Sequence, residues 1–393
     1  MNEKKSLFIT DILMNIIGVY FSTFFVFYFF RVSNYEILPL VKYYLFDYII
    51  TGISYILIRN SMKKNIRVPY FQIGISLQAI YIAIIMLLKE NIVHFIFVLG
   101  FVKGLANAFY YFPRSILESD KIDNKERQLY EGRVSTINQI TAIIIPIILG
   151  FLLTHFSYTD LGKVFFLLFV VMFVCAFKLK DTKPNNNKFD FKGFKNILKT
   201  NENIKLAVLI PLSSGLSYAS GVMTLIVTLL KIGIFKTNFN LGLVDGVCGF
   251  LCLLVCIFYA RIIKEKHFNK ILLIAGIMSF ISLMALALFD SEVLFIIYLF
   301  IRFTCITIIS LISETIANNL TNTREVKKEF KAEYYCFREI MYSTSRSVGY
   351  LILLVVSLTV GNEYISYILI LSGASLLLES GILYSLAKKQ VKS

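Results

Sequence analysis

Apolar residues run through this chain in long blocks separated by short polar stretches. A helix needs roughly 20 consecutive apolar residues to cross the hydrocarbon core of a bilayer. By that measure the pattern predicts spans over 7–30, 39–58, 68–88, 92–114, 134–154 and 160–178, then 204–230, 240–260, 271–289, 293–315, 335–359 and 364–386. The expected fold class is therefore an all-α integral membrane protein of about twelve transmembrane helices. The longest polar segment, 181–203, lies near the middle and reads as a cytoplasmic connector with an amphipathic piece around 191–198. It divides the chain into two expected six-helix bundles, 1–180 and 204–393.

Within the spans, polar residues recur at helical spacing and so share faces. The first carries Asp11, Asn15, Gly18 and Ser22, and the second Asp47, Thr51 and Ser54. The fourth carries Lys103, Asn107, Tyr110 and Arg114, and the eighth Asp245, Gly249, Cys252 and Cys256. The tenth holds Arg302 near its centre, with Thr307, Ser310 and Glu314 on a neighbouring face, and the eleventh aligns Glu339, Tyr342, Arg346 and Gly349. In a membrane helix such a stripe faces protein or water while the apolar side faces lipid. The sixth and ninth spans are almost wholly apolar, and the third is polar mainly near one end. Every third helix is thus expected at the periphery, with Glu379 in the twelfth as the exception.

Composition supports the membrane reading. Hydrophobic residues make up 57% of the 393 and charged ones only 17%, with a mean hydropathy of +0.72. A water-soluble surface cannot be covered from so few polar groups. The formal charge of +15 raises the question of a nucleic-acid partner, but its distribution excludes one. About 29 of the 40 Lys and Arg fall in loops and tails on one side and about five on the other, the positive-inside bias that places both termini in the cytoplasm. The apolar stretch after Ser6 is too long for a signal-peptide core and reads as the first span. Six Cys with no paired spacing give no disulfide framework. Cys248, Cys252 and Cys256 share a face, where small packing residues are the default. His94, His155 and His267 do not cluster, and Asp120-x-x-Asp123 in a loop dense with both signs reads as solvated surface. Metalloprotease, phosphate-loop and nucleophile-elbow motifs are missing, so neither an enzyme nor an ATP-driven pump is expected, nor any cofactor.

A charge at the bilayer centre costs about 3 kcal/mol or more, so the intramembrane charges face the interior and find partners. The functional reading is a substrate and coupling-ion path lined by Asp11, Asn15, Asp47, Lys103, Asn107, Tyr218, Asp245, Arg302 and Arg346. Arg59, Lys63, Arg114, Arg261, Glu314, Arg338 and Glu339 lie nearer the cytoplasmic ends and read as gate residues. The competing reading is a set of internal salt bridges that only lock helices together. The seventh span opens with Pro211, Gly215 and Gly221, which loosen a helix where it meets a cavity or permit close packing. Tyr218 between them is the best placed to touch a substrate.

The halves also look related at an offset of roughly 200 residues, as transporter repeats do. Arg59 and Lys63 follow the second span as Arg261 and Lys264 follow the eighth, Lys103 matches Arg302, and the charged loops 120–133 and 324–333 correspond. Together these features resemble the major facilitator superfamily over nearly the whole chain. The family's turn after the second helix reads Gly-x-x-x-Asp-Arg-x-Gly-Arg-Lys. Here the matching stretch keeps Arg59 and Lys63, with Ile58 in the acidic position and Ser61 for glycine. The Gly-Pro motif of proton-coupled exporters is not matched, since Ile145 precedes Pro146. The resemblance implies two bundles rocking about a central cavity, with helices three, six, nine and twelve outside.

The leading expectation is a monomeric secondary transporter in a bacterial plasma membrane, surrounded by lipid and moving a small anionic or polar solute by alternating access with proton or ion coupling. A lipid flippase or a membrane-embedded enzyme of another fold is the alternative; the first would show a lateral polar groove, the second a polar motif clustered at one interface. A sensor or scaffold would need a soluble output domain, and the chain offers no room for one.

Overall fold

The computed structural model describes residues 3–64, 66–122, 124–181, 189–217, 221–289, 291–321, 330–360 and 364–390. All its regular elements are helical. The first half of the chain forms α1 (Glu3–Val32), α2 (Leu38–Ile58), α3 (Arg67–Leu88), α4 (Ile96–Lys121), α5 (Asn124–His155) and α6 (Tyr158–Ala176). A short α7 (Phe191–Thr200) follows. The second half forms α8 (Glu202–Ser217), α9 (Val222–Phe235), α10 (Asn238–Ile262), α11 (Phe268–Leu288), α12 (Glu292–Thr321), α13 (Lys331–Thr359) and α14 (Tyr364–Gln390).

Among the described residues ten stretches are long and apolar enough to cross a bilayer, and one of them, Arg67–Glu118, carries both α3 and α4. The expected seventh span, 204–230, is instead two helices of 16 and 14 residues on either side of 218–220. Local chemistry sets several starts. Before α6 the Ser157 hydroxyl accepts the Asp160 N–H while the Asp160 carboxylate takes the Ser157 N–H, satisfying two orphan donors. Thr237 caps α10 through the Asn240 N–H, and Asp190 caps α7 through the Gly193 N–H. Inside α1 a π-helical turn at Tyr20–Phe24 inserts an extra residue and changes which side chains face inward.

In the first half α3 and α4 pack together, α2 lies on α4, and α1 lies on α5 and α6. In the second, α8 lies on α13 and α14, and α11 on α12 and α14. The halves meet along two main seams, α5 with α10 and α2 with α13. The α5–α10 seam is backbone against backbone. A Cβ on Gly242 would stand 2.2 Å from the Pro146 carbonyl oxygen, and one on Gly150 would stand 2.6 Å from that of Asn238. Small residues at a membrane interface gain dispersion contact that larger ones would block.

The α2–α13 seam is closed by charge at the end that carries Glu3. Lys63, in the turn after α2, pairs with Glu333 of α13 at 2.5 Å, with both side chains buried. The Glu333 carboxylate also accepts the Asp190 N–H at 2.9 Å, which ties the start of α7 to the same point. Asp120 at the end of α4 pairs with Arg67 and, at 2.9 Å across the seam, with Lys331. The expectation of a solvated surface at Asp120 is therefore corrected: α4 extends to Lys121 and carries Asp120 into a half-buried ion network. Its companion Asp123 lies outside the described residues. Tyr55, Met62, Phe112, Ile116, Ala332 and Cys336 pack beneath this network.

The apolar helices α6 and α11 turn Leu167, Val171 and Val174, and Ile274, Ile277 and Ile281, outward, as a lipid-facing surface requires. Ile73, Ile80 and Leu87 of α3 also face outward, while Gln78 is fully buried on its inner side.

Replacing Gly242 with Val is expected to force α5 and α10 apart at a cost of about 1–3 kcal/mol, read as a lower thermal midpoint in detergent. Removing the carboxylate in Glu333→Ala breaks the buried pair with Lys63 and is expected to cost about 3–5 kcal/mol. Exchanging the two residues, Lys63→Glu with Glu333→Lys, should recover part of that loss in a double-mutant cycle.

Candidate functional site

In the first half, four side chains from three helices form one polar chain. The Lys103 ammonium of α4 donates to Gln78 Oε1 of α3 at 2.9 Å. Gln78 Nε2 donates to Asn107 Oδ1 at 3.1 Å, and Asn107 Nδ2 to Asp47 Oδ1 of α2 at 3.1 Å. Thr51 adds its hydroxyl to the same Asp47 oxygen at 3.2 Å. The i, i+4 spacing of Lys103 and Asn107 puts both on one face of α4, so Gln78 can bridge them. Lys103 also lies 4.4 Å from the Phe21 ring centre and 5.0 Å from that of Tyr81. Its charge is thus met by an amide oxygen and two aromatic faces, while the Asp47 carboxylate stands two amides away.

In the second half, Asp245 of α10 forms an ion pair with Lys231 of α9. Its other oxygen accepts the Thr23 hydroxyl at 2.7 Å, from the π-helical turn of α1 in the opposite half. Nearby, the Thr228 hydroxyl reaches the Ser22 carbonyl at 3.5 Å. Arg302 of α12, 8% exposed, donates to the Tyr298 hydroxyl at 3.2 Å and to Thr224 Oγ1 of α9 at 3.4 Å. Asp47 and Asp245 are 198 positions apart, and Lys103 and Arg302 are 199 apart. Each half places an acid on its second membrane helix and a cation on its fourth. The partners differ: Lys231 neutralises Asp245 directly, which leaves Arg302 held by hydroxyls.

A third group lies at the seam between α2, α4 and α13. The Arg346 guanidinium sits 5.4 Å from the Tyr48 ring centre and 5.2 Å from that of Tyr342. Tyr48 stacks on Tyr350 at 5.6 Å, and Tyr350 on Tyr44 at 5.2 Å. Across the seam Tyr111 of α4 is 40% exposed, yet within electrostatic reach of Arg114, Arg346, Glu339 and Asp47.

Six of the nine expected path residues (Asp47, Lys103, Asn107, Asp245, Arg302 and Arg346) fall in these three groups. Asp11 does not. It binds Arg114 through both carboxylate oxygens at 2.7 and 2.9 Å and accepts the Tyr130 hydroxyl at 3.0 Å, so it belongs with an expected gate residue inside the first half. Arg114 also pairs with Glu118 at 2.9 Å. Asn15 is half-buried on α1, and Tyr218 lies outside the described residues. Among the expected gate residues, Lys63 bridges the halves, and Arg338 pairs with its neighbour Glu339 at 2.9 Å. Arg59 is half-buried in the turn after α2, Arg261 is exposed at the end of α10, and the Glu314 side chain lies outside the described set.

Sequence reading missed Gln78, Lys231, Thr23, Thr224 and Glu333. Lys231 carried a signal, as the one charged residue within Val222–Phe235. It went unused because the predicted span stopped at 230, one residue short. The Thr23 contact depends on the π-helical turn, which no residue pattern announces.

Comparison with known proteins fits this architecture. The family model of the Major Facilitator Superfamily matches residues 48–350. No curated protein matches the chain by sequence. Among solved structures, an outward-facing bacterial homologue of the iron transporter ferroportin aligns with a TM-score of 0.69 and 15% identity, over 99% of this chain and 100% of that one. An inward-facing bacterial ferroportin homologue gives 0.64 and 14%, over 98% of both chains. The human organic anion transporter MFSD10 gives 0.61 and 11%, over 97% of both. With its all-helical membrane-spanning fold and a family match across most of its length, the chain belongs to the Major Facilitator Superfamily of membrane transporters.

Proposed function

We propose that this protein is a secondary active transporter that moves a small anionic solute by alternating access. Residues 1–180 and 204–393 form two six-helix bundles, α8 and α9 together completing the seventh crossing, with 181–203 as the cytoplasmic connector. Both termini lie in the cytoplasm of a bacterial plasma membrane, the orientation that the positive-inside bias favours. The bundles rock about the space between them, and the Lys63–Glu333 and Asp120–Lys331 pairs close its cytoplasmic end.

The observation that carries the anionic cargo is the setting of two intramembrane cations, one in each half. Lys103 is bound by an amide oxygen and ring faces, and Arg302 by two hydroxyls. A structural salt bridge looks different here: Asp11 and Arg114 meet through two parallel hydrogen bonds. Cations held by neutral groups keep their field available to a ligand, which an anion satisfies and a divalent metal ion would not. The metal named for the bacterial neighbours is therefore not carried over to this chain. Asp47 and Asp245 are the carboxylates through which a proton couples. Each touches a group that responds to its charge, the Asn107–Gln78–Lys103 chain for Asp47 and Lys231 with Thr23 for Asp245.

In proteoliposomes, flux of an accepted carboxylate is expected to fall more than tenfold in Lys103→Ala and in Arg302→Ala, with thermal midpoints close to the parent protein. Unchanged flux in both variants would remove the assigned path. A pH gradient is expected to accelerate flux in the parent and to lose that effect in Asp47→Asn or Asp245→Asn. Flux that ignores the gradient for every accepted solute would end the proton-coupling assignment and leave an ion-driven or uncoupled carrier.

A further inference from the structure

Three consecutive residues in the π-helical turn of α1 touch groups of both halves. Phe21 covers the Lys103 ammonium, which lies 4.4 Å from its ring centre. The Ser22 carbonyl accepts the Thr228 hydroxyl at 3.5 Å, and the Thr23 hydroxyl donates to Asp245 at 2.7 Å, both across the seam. Lys103 carries three N–H donors. Gln78 Oε1 accepts from it at 2.9 Å, and the rings of Phe21 and Tyr81 meet the ammonium elsewhere. Tyr81 is fully buried and shares a 2.6 Å hydroxyl hydrogen bond with Tyr43, which pins its ring. Phe21 is half-buried and has no polar atom to anchor it, so it is the cover that yields to an anion. A charge-assisted hydrogen bond to a carboxylate outweighs the ring face it replaces. Phe21 does not yield alone. Its ring packs edge-on against Tyr20 and Phe25 at 5.4 Å each, so it moves with the backbone of its own turn. A π turn holds one residue more than an α turn, and relaxing it rotates the flanking segments against each other by about 100°. Thr23, two residues on, is swung by the same change away from Asp245.

Resting on the transport reading above, we propose that Phe21 and Thr23 are positioning residues through which this π turn couples Lys103 in the first half to Asp245 in the second. Phe21 uncovers Lys103 as Thr23 leaves Asp245, so the anion reaches the lysine when the Thr23 end opens. The linkage is reciprocal: an anion that displaces Phe21 weakens the Thr23 bond by the same free energy. Lys231 stays on Asp245 throughout, so the departing hydroxyl leaves no bare carboxylate in the membrane.

Exposure of the lysine is read without any cargo, as the rate of reductive methylation at Lys103 followed by peptide mass spectrometry on the full-length protein. Phe21→Ala is expected to raise that rate about tenfold. Thr23→Val, which removes the hydroxyl that bonds Asp245 and leaves Phe21 in place, is expected to raise it at least threefold, and Thr23→Ser to restore the parent rate. Thr23→Ala gives the same test should the valine variant fail to fold. Phe21→Ala combined with Thr23→Val is expected to react no faster than Phe21→Ala alone, because both release one element. Spin labels at the exposed Glu36 and Asn240, in a background without native cysteines, are expected to move apart in Phe21→Ala and in Thr23→Val. A Lys103 rate indifferent to Thr23, rates that multiply in the double variant, or an unchanged label distance would overturn the coupling. Acetate is expected to protect Lys103 in Phe21→Ala. Failure to protect in any variant, with the Thr23 effect present, would end the anionic-cargo reading and keep the coupling between the two groups.

Discussion

A bare charge cannot rest in hydrocarbon, and that constraint organises this molecule more than any single apolar contact does. Apolar side chains gain little by leaving lipid for protein, so burial of the kind that folds soluble domains does not bring these helices together. Each intramembrane ion instead needs partners from neighbouring helices or access to water, at stakes of several kcal/mol. Asp47 links α2 to α4 through Asn107, and Lys103 links α4 to α3 through Gln78. Asp245 joins α10 to α9 and reaches α1 across the seam. Where no charge is present, small residues take over the same task. Gly150, Gly242, Gly246 and Gly249 let α5 and α10 approach until the backbone of one meets that of the other.

The same constraint gives near-symmetric positions unequal roles. Acid and cation recur about 200 residues apart on matching helices, yet the first half separates its pair with two amides while the second brings in Lys231. One acid neutralised by a lysine leaves the matching cation, Arg302, in surplus. A strict duplication would carry the same local charge in both halves and distinguish neither. One residue on α9, Lys231, is enough to separate the surroundings of Arg302 from those of Lys103.

Much of this was legible in the residues, for a physical reason. Length and apolarity fix membrane spans because the bilayer sets one ruler for all of them, and a polar stripe at helical spacing marks an inner face whatever the neighbours are. Six of the nine expected path residues fall into three separate polar groups. The illegible part is who meets whom. Asp11 shares a stripe with Asn15 and Gly18, but its partner is Arg114, because α4 presents that guanidinium one turn nearer the basic end. Asp120 sits in a run dense with charge that resembles a solvated loop, and only the extension of α4 to Lys121 carries it into the seam. Gln78, in the middle of the third span, belongs to no polar stripe. Its role follows from lying opposite Lys103 and Asn107 at once.

The two ends of the seam are held by different means, and the difference sets how the halves can move on the reading proposed above. At the end carrying Glu3, Lys63, Glu333 and the Asp190 N–H form a buried ionic knot that also holds the connector helix α7. At the Thr23 end, among the described residues, the halves share the Thr23–Asp245 bond, the weaker Thr228 contact and the Tyr158 hydroxyl donated to Asn238 Oδ1 at 2.7 Å. A hydrogen bond to a charged group contributes about 1.5–3 kcal/mol, the same scale as the net value of a buried pair once its desolvation is counted. Water that floods an opened end rehydrates the freed ions and lowers the cost of breaking either contact. Alternating access, on that reading, requires the two states to lie within a few kcal/mol of each other. A ligand shifts such an equilibrium only by its difference in affinity for the two states. A solute that touches both halves has that difference built in, because opening either end pulls one of its anchors away.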